Sequence, residues 1–307
     1  MSEIRTEGLR KVYREVVALQ ALDLTVEAGT VFGFLGPNGA GKTTTLRLLA
    51  GLARPTSGQA WLAGEPIGPE SGARAHAGYL PEEPHFYNWM SPIEFLSGYV
   101  GGLFGQQRKQ AAKRAHELLE RVGLAEAARR RIGGFSRGMR QRLGLAQALM
   151  NRPRVLLLDE PVSALDPVGR RDMLEWIGEL KSETTVFMST HILEDVERVC
   201  DTIGILNRGR LVTVEARQTL LKRYAVPAVE VEFDAPAARI AAWAAAVRSR
   251  PGVVGVEARG STATIRLQAD EARGSVQAAA FESGLPLIAY RVARPTLEDV
   301  FLRLVEA

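Results

Sequence analysis

Gly36-Pro37-Asn38-Gly39-Ala40-Gly41-Lys42-Thr43 sets three glycines, a lysine and a hydroxyl in the spacing G-x-x-x-x-G-K-T. Gly36, Gly39 and Gly41 let the backbone bend tightly and aim successive N–H groups at phosphate oxygens, with no Cβ in the way. Lys42 then places a point charge on the outer phosphates, and Thr43 offers its hydroxyl to Mg²⁺. The apolar run Val31-Phe-Gly-Phe-Leu35 ahead of the loop reads as a buried strand. The stretch from Thr44 to Leu49 reads as a helix whose positive end faces the anion. Strand, glycine loop and helix in that order make nucleotide binding the first expectation.

The rest of the composition bounds the class. At 307 residues, 46% hydrophobic and 24% charged, the chain has an ordinary globular make-up and room for two domains. Its single cysteine, Cys200, has no internal disulfide partner, which fits a reducing compartment. The start of the chain lacks the apolar core of a secretory signal, and no stretch reaches the ~20 apolar residues that cross a bilayer. The net charge is +4. Residues 225 to 307 carry nine arginines, no lysine and ten acids, a net of −1, so the excess lies upstream. It is too modest to argue for a nucleic-acid partner, and Arg129-Arg-Arg131 reads as a solvated face.

Beyond the glycine loop, strand and helix patterns alternate. Apolar residues at Ala112, Ala115, Leu118, Leu119 and Val122 predict a helix ended by Gly123, and a second helix runs from Arg137 to Met150. Val155-Leu-Leu-Leu158 follows as a buried strand, then a helix from Val168 to Leu180, a strand from Thr185 to Ser189 and a helix from Ile192 to Cys200. Such alternation implies a largely parallel sheet with helices on its faces, closed by a hairpin through Asn207-Arg-Gly209. Composition shifts at Tyr224-Ala-Val-Pro227, where a domain boundary is expected. The pattern beyond it is βαββαβ, a small ferredoxin-like α+β domain, with a last helix after Pro295.

The strand at Val155 ends in the adjacent carboxylates Asp159 and Glu160. At a strand end near a phosphate loop, Asp159 is placed to hold Mg²⁺ and Glu160 to polarise an attacking water. Downstream, Ser163-Ala-Leu-Asp166 and His191, which ends the run Phe187-Met-Ser-Thr190, complete the constellation. His191 sits where a polar side chain reaches a γ-phosphate from the sheet edge.

With these residues in place the chain resembles the ATP-binding subunit of an ATP-binding cassette (ABC) transporter over residues 1 to about 221. The resemblance makes Gly36–Thr43 the Walker A loop, Val155–Asp159 Walker B, Glu160 the catalytic glutamate, Ser163–Asp166 the D-loop and His191 the switch histidine. Tyr13 matches the aromatic on which such proteins stack adenine. The family's signature, usually Leu-Ser-Gly-Gly-Gln, reads here Phe135-Ser-Arg-Gly-Met139, keeping Ser136 and Gly138 at the head of a helix. Ser-Arg-Gly-Met-Arg-Gln-Arg142 resembles the subgroup serving ABC-2-type exporters, including drug-resistance systems. A second departure is Glu82, where the family has a glutamine that contacts Mg²⁺ and water.

The resemblance thus implies a P-loop ABC ATPase domain with a helical subdomain over residues 1–221, and an accessory or regulatory α+β domain over 225–307. It implies ATP and Mg²⁺ as cofactors. ATP contacts are expected from Tyr13, from Gly36, Pro37, Asn38, Gly39, Ala40, Gly41, Lys42, Thr43 and Thr44, and from Ser136, Gly138 and Asp166. Metal contacts are expected from Thr43, Glu82 and Asp159, and catalysis from Glu160 and His191. It further implies a head-to-tail homodimer on ATP binding and separate integral membrane permease subunits. The chain is expected on the cytoplasmic face of the membrane, with Pro84 to Phe104 as its docking surface. The competing class is a soluble ABC ATPase acting on DNA or the ribosome. Such relatives carry two cassettes or a coiled-coil insertion, whereas here one cassette has about 110 residues and no heptads between its two Walker motifs.

Overall fold

The computed structural model describes residues 2–223, 227–293 and 297–306, and the chain divides into two compact units, Met1–Arg217 and Gln218–Ala307. The boundary expected at Tyr224–Pro227 includes Tyr224, Ala225 and Val226, which lie outside the described residues.

The first unit opens with two long strands, β1 (Ser2–Tyr13) and β2 (Val16–Glu27), then β3 (Val31–Leu35), the helix α1 (Lys42–Leu49) and strands β4 (Ser57–Leu62), β5 (Glu65–Pro66) and β6 (Ala77–Leu80). A π-helical stretch, Glu94–Val100, runs into α2 (Gly101–Leu103), followed by α3 (Arg108–Arg121) and α4 (Arg137–Ala148). The unit then alternates β7 (Val155–Asp159), α5 (Pro167–Glu179), β8 (Thr185–Thr190) and α6 (Leu193–Val199), and ends in the hairpin β9 (Thr202–Asn207) and β10 (Arg210–Ala216). The next helix, α7 (Arg217–Arg223), spans the division.

Two sheets result. One is antiparallel in the order β2-β1-β4-β5, and the other is six-stranded in the order β10-β9-β3-β8-β7-β6, parallel except for the β10 edge. Every residue of β3, β7 and β8 is buried, as expected where helices and the second sheet cover both faces of a parallel sheet. Phe32 and Phe187 stack at 5.1 Å between ring centres, and with Phe34 they join the core that the antiparallel sheet closes through Leu19, Leu22 and Leu24. Gly33 interrupts that aromatic strand for a steric reason. A Cβ there would lie 2.8 Å from Cys200 Sγ and 2.9 Å from Val196 Cγ1, so α6 packs directly on the β3 backbone.

Because β3, β7 and β8 are parallel neighbours, their carboxyl ends share one edge, with Leu35 opposite Thr190 and Asp159 opposite Ser189. The residues that follow those ends are Gly36, Glu160 and His191. A parallel sheet presents its ligand crevice at this edge.

The second unit contains β11 (Ala228–Phe233), α8 (Ala237–Val247), β12 (Val253–Arg259), β13 (Thr262–Leu267), α9 (Arg273–Glu282), β14 (Leu287–Ala293) and α10 (Leu297–Glu306). Its antiparallel sheet has the order β12-β13-β11-β14, the ferredoxin-like arrangement the sequence pattern predicts. Val229, Val231, Phe233, Ile265 and Leu267 line its core with Ile240, Trp243 and Val276 of the helices.

Candidate functional site

The glycine loop curls between β3 and α1 because its glycines occupy conformations or spaces closed to other residues. Gly39 and Gly41 have φ of +79° and +109°, and a Cβ on Gly36 or Gly41 would come within 2.4 Å of the Leu206 or Ala18 carbonyl oxygen. A Cβ on Gly39, by contrast, would meet nothing, so the loop packs tightly behind and opens in front. No side chain caps α1, which leaves its first N–H groups without a side-chain partner among the described residues.

Lys42 folds back over this loop. Its Nζ donates to the Gly36 and Pro37 carbonyls at 2.7 and 3.3 Å and lies 4.0 Å from Glu160 Oε1. Burial pulls the ammonium below the ordinary lysine range, against the opposing attraction of Glu160, Asp159 and Glu82. Two hydroxyls, from Thr43 at 3.2 Å and Ser189 at 2.6 Å, reach the same oxygen of Asp159, Oδ1. Its other oxygen, Oδ2, is buried without a hydrogen-bond partner among the described residues.

That orphaned oxygen tests whether the residues suit a divalent cation. Among the described residues no group of three or more His, Cys, Asp or Glu side chains forms a metal cage. Asp159, the Thr43 hydroxyl and Glu82 instead form a partial set of hard oxygen donors, which suits Mg²⁺ completing its shell with phosphate oxygens and water.

Glu160 has φ of +49°, a strained setting for a residue with a side chain. Its N–H donates to the Ser189 carbonyl at 3.1 Å, and the Gln141 amide of α4 donates to its carbonyl at 3.4 Å. Its Oε1 lies 2.9 Å from His191 Nδ1. Glu160, His191 and Glu82 line one cleft of about 370 Å³ with Asn38, Gly39, Ala40 and the loop through Thr44.

Ser136, Gly138 and Asp166 do not join them. They line a different cleft with Arg137, Met139 and Leu165. In this chain Ser136 caps α4, accepting from Met139 N at 3.2 Å, and Asp166 caps α5, accepting from Gly169 N at 3.2 Å. A Cβ on Gly138 would lie 3.2 Å from Leu165 and 3.3 Å from the Ala164 carbonyl, so the two caps share one wall. Tyr13, at the end of β1, is 44% exposed with the Lys11 ammonium 4.7 Å over its ring.

The segment after Glu82 divides between core and surface. Phe95, Leu96 and Val100 are buried, whereas Tyr87, Tyr99, Phe104 and above all Trp89, 69% exposed, lie on the surface, with Tyr87 edge-on to Tyr99 at 5.2 Å. Sequence reasoning passed over Ser189 and Gln141. A serine ending an apolar strand and a glutamine within a helix carry no local mark of the partner each meets across the fold.

Residues 19–163 match the ABC transporter family model, and residues 217–305 match the model of the ATP-binding protein DrrA1-3-like C-terminal domain. The chain is 40% identical over 302 residues to the uncharacterized ABC transporter ATP-binding protein YxlF of Bacillus subtilis, covering 98% of this chain and 99% of the relative. It is 32% identical to the linearmycin resistance ATP-binding protein LnrL of the same organism, over 98% of this chain and 97% of the relative. A solved structure described as the ATP binding subunit of an ABC transporter superposes with a TM-score of 0.66 at 28% identity, over 72% of this chain and 92% of that one. Glycine loop, paired carboxylates and end-to-end likeness agree: the chain belongs to the ABC transporter ATP-binding proteins, the ATPase subunits of that family.

Proposed function

We propose that the chain hydrolyses Mg²⁺-bound ATP as a head-to-tail homodimer and so drives export of a substrate through separate integral membrane subunits, from the cytoplasmic face of the membrane. The observation that carries the dimer is the division of the expected ATP contacts between two clefts of one chain. A second copy supplies Ser136, Gly138 and Asp166 to the nucleotide held by Lys42 and its loop. Among the described residues no helix is long and apolar enough to cross a membrane, which is why the work must pass to another protein. Export is favoured by the likeness to a resistance ATP-binding protein and by the DrrA-like second unit.

The roles follow from position. Lys42 and the loop N–H groups hold the outer phosphates, and Tyr13 stacks on the base. Thr43, Asp159 and Glu82 hold Mg²⁺, which neutralises charge on the phosphates. Glu160 accepts the proton of the attacking water, and His191, 2.9 Å from its Oε1, holds that carboxylate in place and faces the γ-phosphate. The exposed aromatic surface around Trp89 docks the membrane subunit, adjoining Glu82 in the chain. The accessory domain, residues 225–307, supports the dimer or regulates its turnover; the cassette is residues 1–221.

The reading is tested by purifying the Glu160→Gln variant with ATP from native membranes. Co-purification of a polytopic membrane protein with a dimer of this chain is expected. Ribosomes or DNA-bound proteins in its place would sink the transport reading in favour of a soluble ATPase.

A further inference from the structure

We propose that the ion pair between Arg170 and Asp195 is a positioning device that holds the Asp166 turn in register with the His191 turn, so that the two clefts of one chain respond together. The proposal rests on the ATPase reading above and deepens it.

Arg170 stands in the first turn of α5, where its N–H donates to the Asp166 carbonyl at 2.8 Å. Its Nε donates to Asp195 Oδ1 at 2.8 Å, whereas its Nη2, 2.7 Å from the same oxygen, makes no hydrogen bond among the described residues. Asp195 lies in the first turn of α6, four residues beyond His191, and is buried. The connection therefore runs from Asp166 in the signature-side cleft through Arg170 to Asp195, and from there along four residues of backbone to His191 and its 2.9 Å contact with Glu160 in the nucleotide cleft.

The chemistry of the pair argues against a purely stabilising role. Among the described residues Asp195 Oδ2 is buried without a hydrogen-bond partner, and burial pushes this carboxyl up from the ordinary range while Arg170 pulls it back. An apolar pair of similar volume is often as stable as a buried ion pair left incomplete in this way, or more so. What an apolar contact does not supply is a charge-assisted hydrogen bond, which fixes both distance and direction. A second ion pair joining these helices, Arg198 with Glu175, is open to solvent and gives little constraint.

The experiment uses the full chain and measures ATP dissociation constant, kcat, KM and thermal midpoint. Asp195→Asn is expected to lower kcat at least tenfold while ATP affinity stays within twofold. The apolar double variant Arg170→Met/Asp195→Leu is expected to regain the thermal midpoint without regaining kcat, and that split separates positioning from stability. Wild-type kcat in the apolar pair would overturn the proposal. Should that pair not fold, Asp195→Asn and Arg170→Lys decide the matter: parallel losses of ATP affinity and kcat mean a merely structural contact and overturn it too. A wild-type chain that neither binds nor hydrolyses ATP overturns the ATPase reading itself, and the positioning role with it.

Discussion

The two units are built from the same materials, strands in sheets with helices packed on them, and differ in what they bury. The first buries Lys42, Asp159, Glu160, Gln141, Ser189 and Asp195, whereas among the described residues the second buries no polar side chain of this kind. Among the described residues, the six non-glycine residues with positive φ, Glu160 among them, also lie in the first unit, while in the second such conformations fall on glycines. Buried charge and backbone strain both cost stability, and a fold tolerates them where chemistry needs a fixed group. The first unit therefore carries the reaction at the expense of stability, and the second spends its burial on the core alone.

The sharpest way to break this comparison is Glu160→Gln. If Glu160 is the base, turnover falls by about 10² to 10⁴ with ATP still bound. No substitution in the second unit should change turnover per folded molecule by a comparable factor. Steady-state hydrolysis beside an ATP-binding assay reads both, and near-normal turnover in the variant would move the base elsewhere.

Next in size is Trp243→Ala. Trp243 packs edge-on against Phe233 at 4.8 Å, and its indole donates to the Ala279 carbonyl at 3.0 Å. Its truncation is expected to cost about 3–5 kcal/mol, enough to unfold the second unit. Limited proteolysis should show residues beyond 218 cleaved first while ATP binding persists. Loss of ATP binding in step with that cleavage would mean that the units are not energetically separate.

Much of this contrast was legible in the sequence, and what was hidden was nonlocal. The strand, loop and helix around Gly36, the carboxylates after β7 and the βαββαβ order each sit in a short stretch whose pattern is its own signal. The antiparallel sheet is different. The pairing of β1 with β4, Arg5 opposite Trp61, joins segments more than fifty residues apart, and neither segment carries a local mark of the other. The same limit hid Ser189 on Asp159 and Arg170 on Asp195, because a polar side chain does not announce its partner. Ser136 was legible at the head of a helix, but neither its bond from Met139 N nor the cap of Asp166 on Gly169 N was.

Those caps set up a smaller test. Ser136→Ala removes a cap and is expected to cost about 1 kcal/mol of stability, whereas glycine at a cap costs only a few tenths. If the Ser136 hydroxyl also meets the phosphate of a second copy, Ser136→Gly should keep the thermal midpoint and still lose turnover. A Gly variant with wild-type turnover would leave Ser136 a cap and nothing more.

The smallest expected effect concerns Lys42 in the chain without nucleotide. Burial lowers its folded pKa below the ordinary value of 10.5, so near that pH the folded chain binds fewer protons than the unfolded one. Stability from this group is then present above the unfolded pKa and is lost as pH falls through the lowered folded value. Unfolding measured at pH 7 and again near pH 10 should show the wild type gaining on Lys42→Met as pH rises. ATP should abolish that slope in the wild type, since phosphate charge beside the ammonium restores its affinity for the proton. A slope unchanged by ATP would mean that the ammonium does not face the phosphates, and the contrast between a unit that buries charge for chemistry and one that does not would lose its central residue.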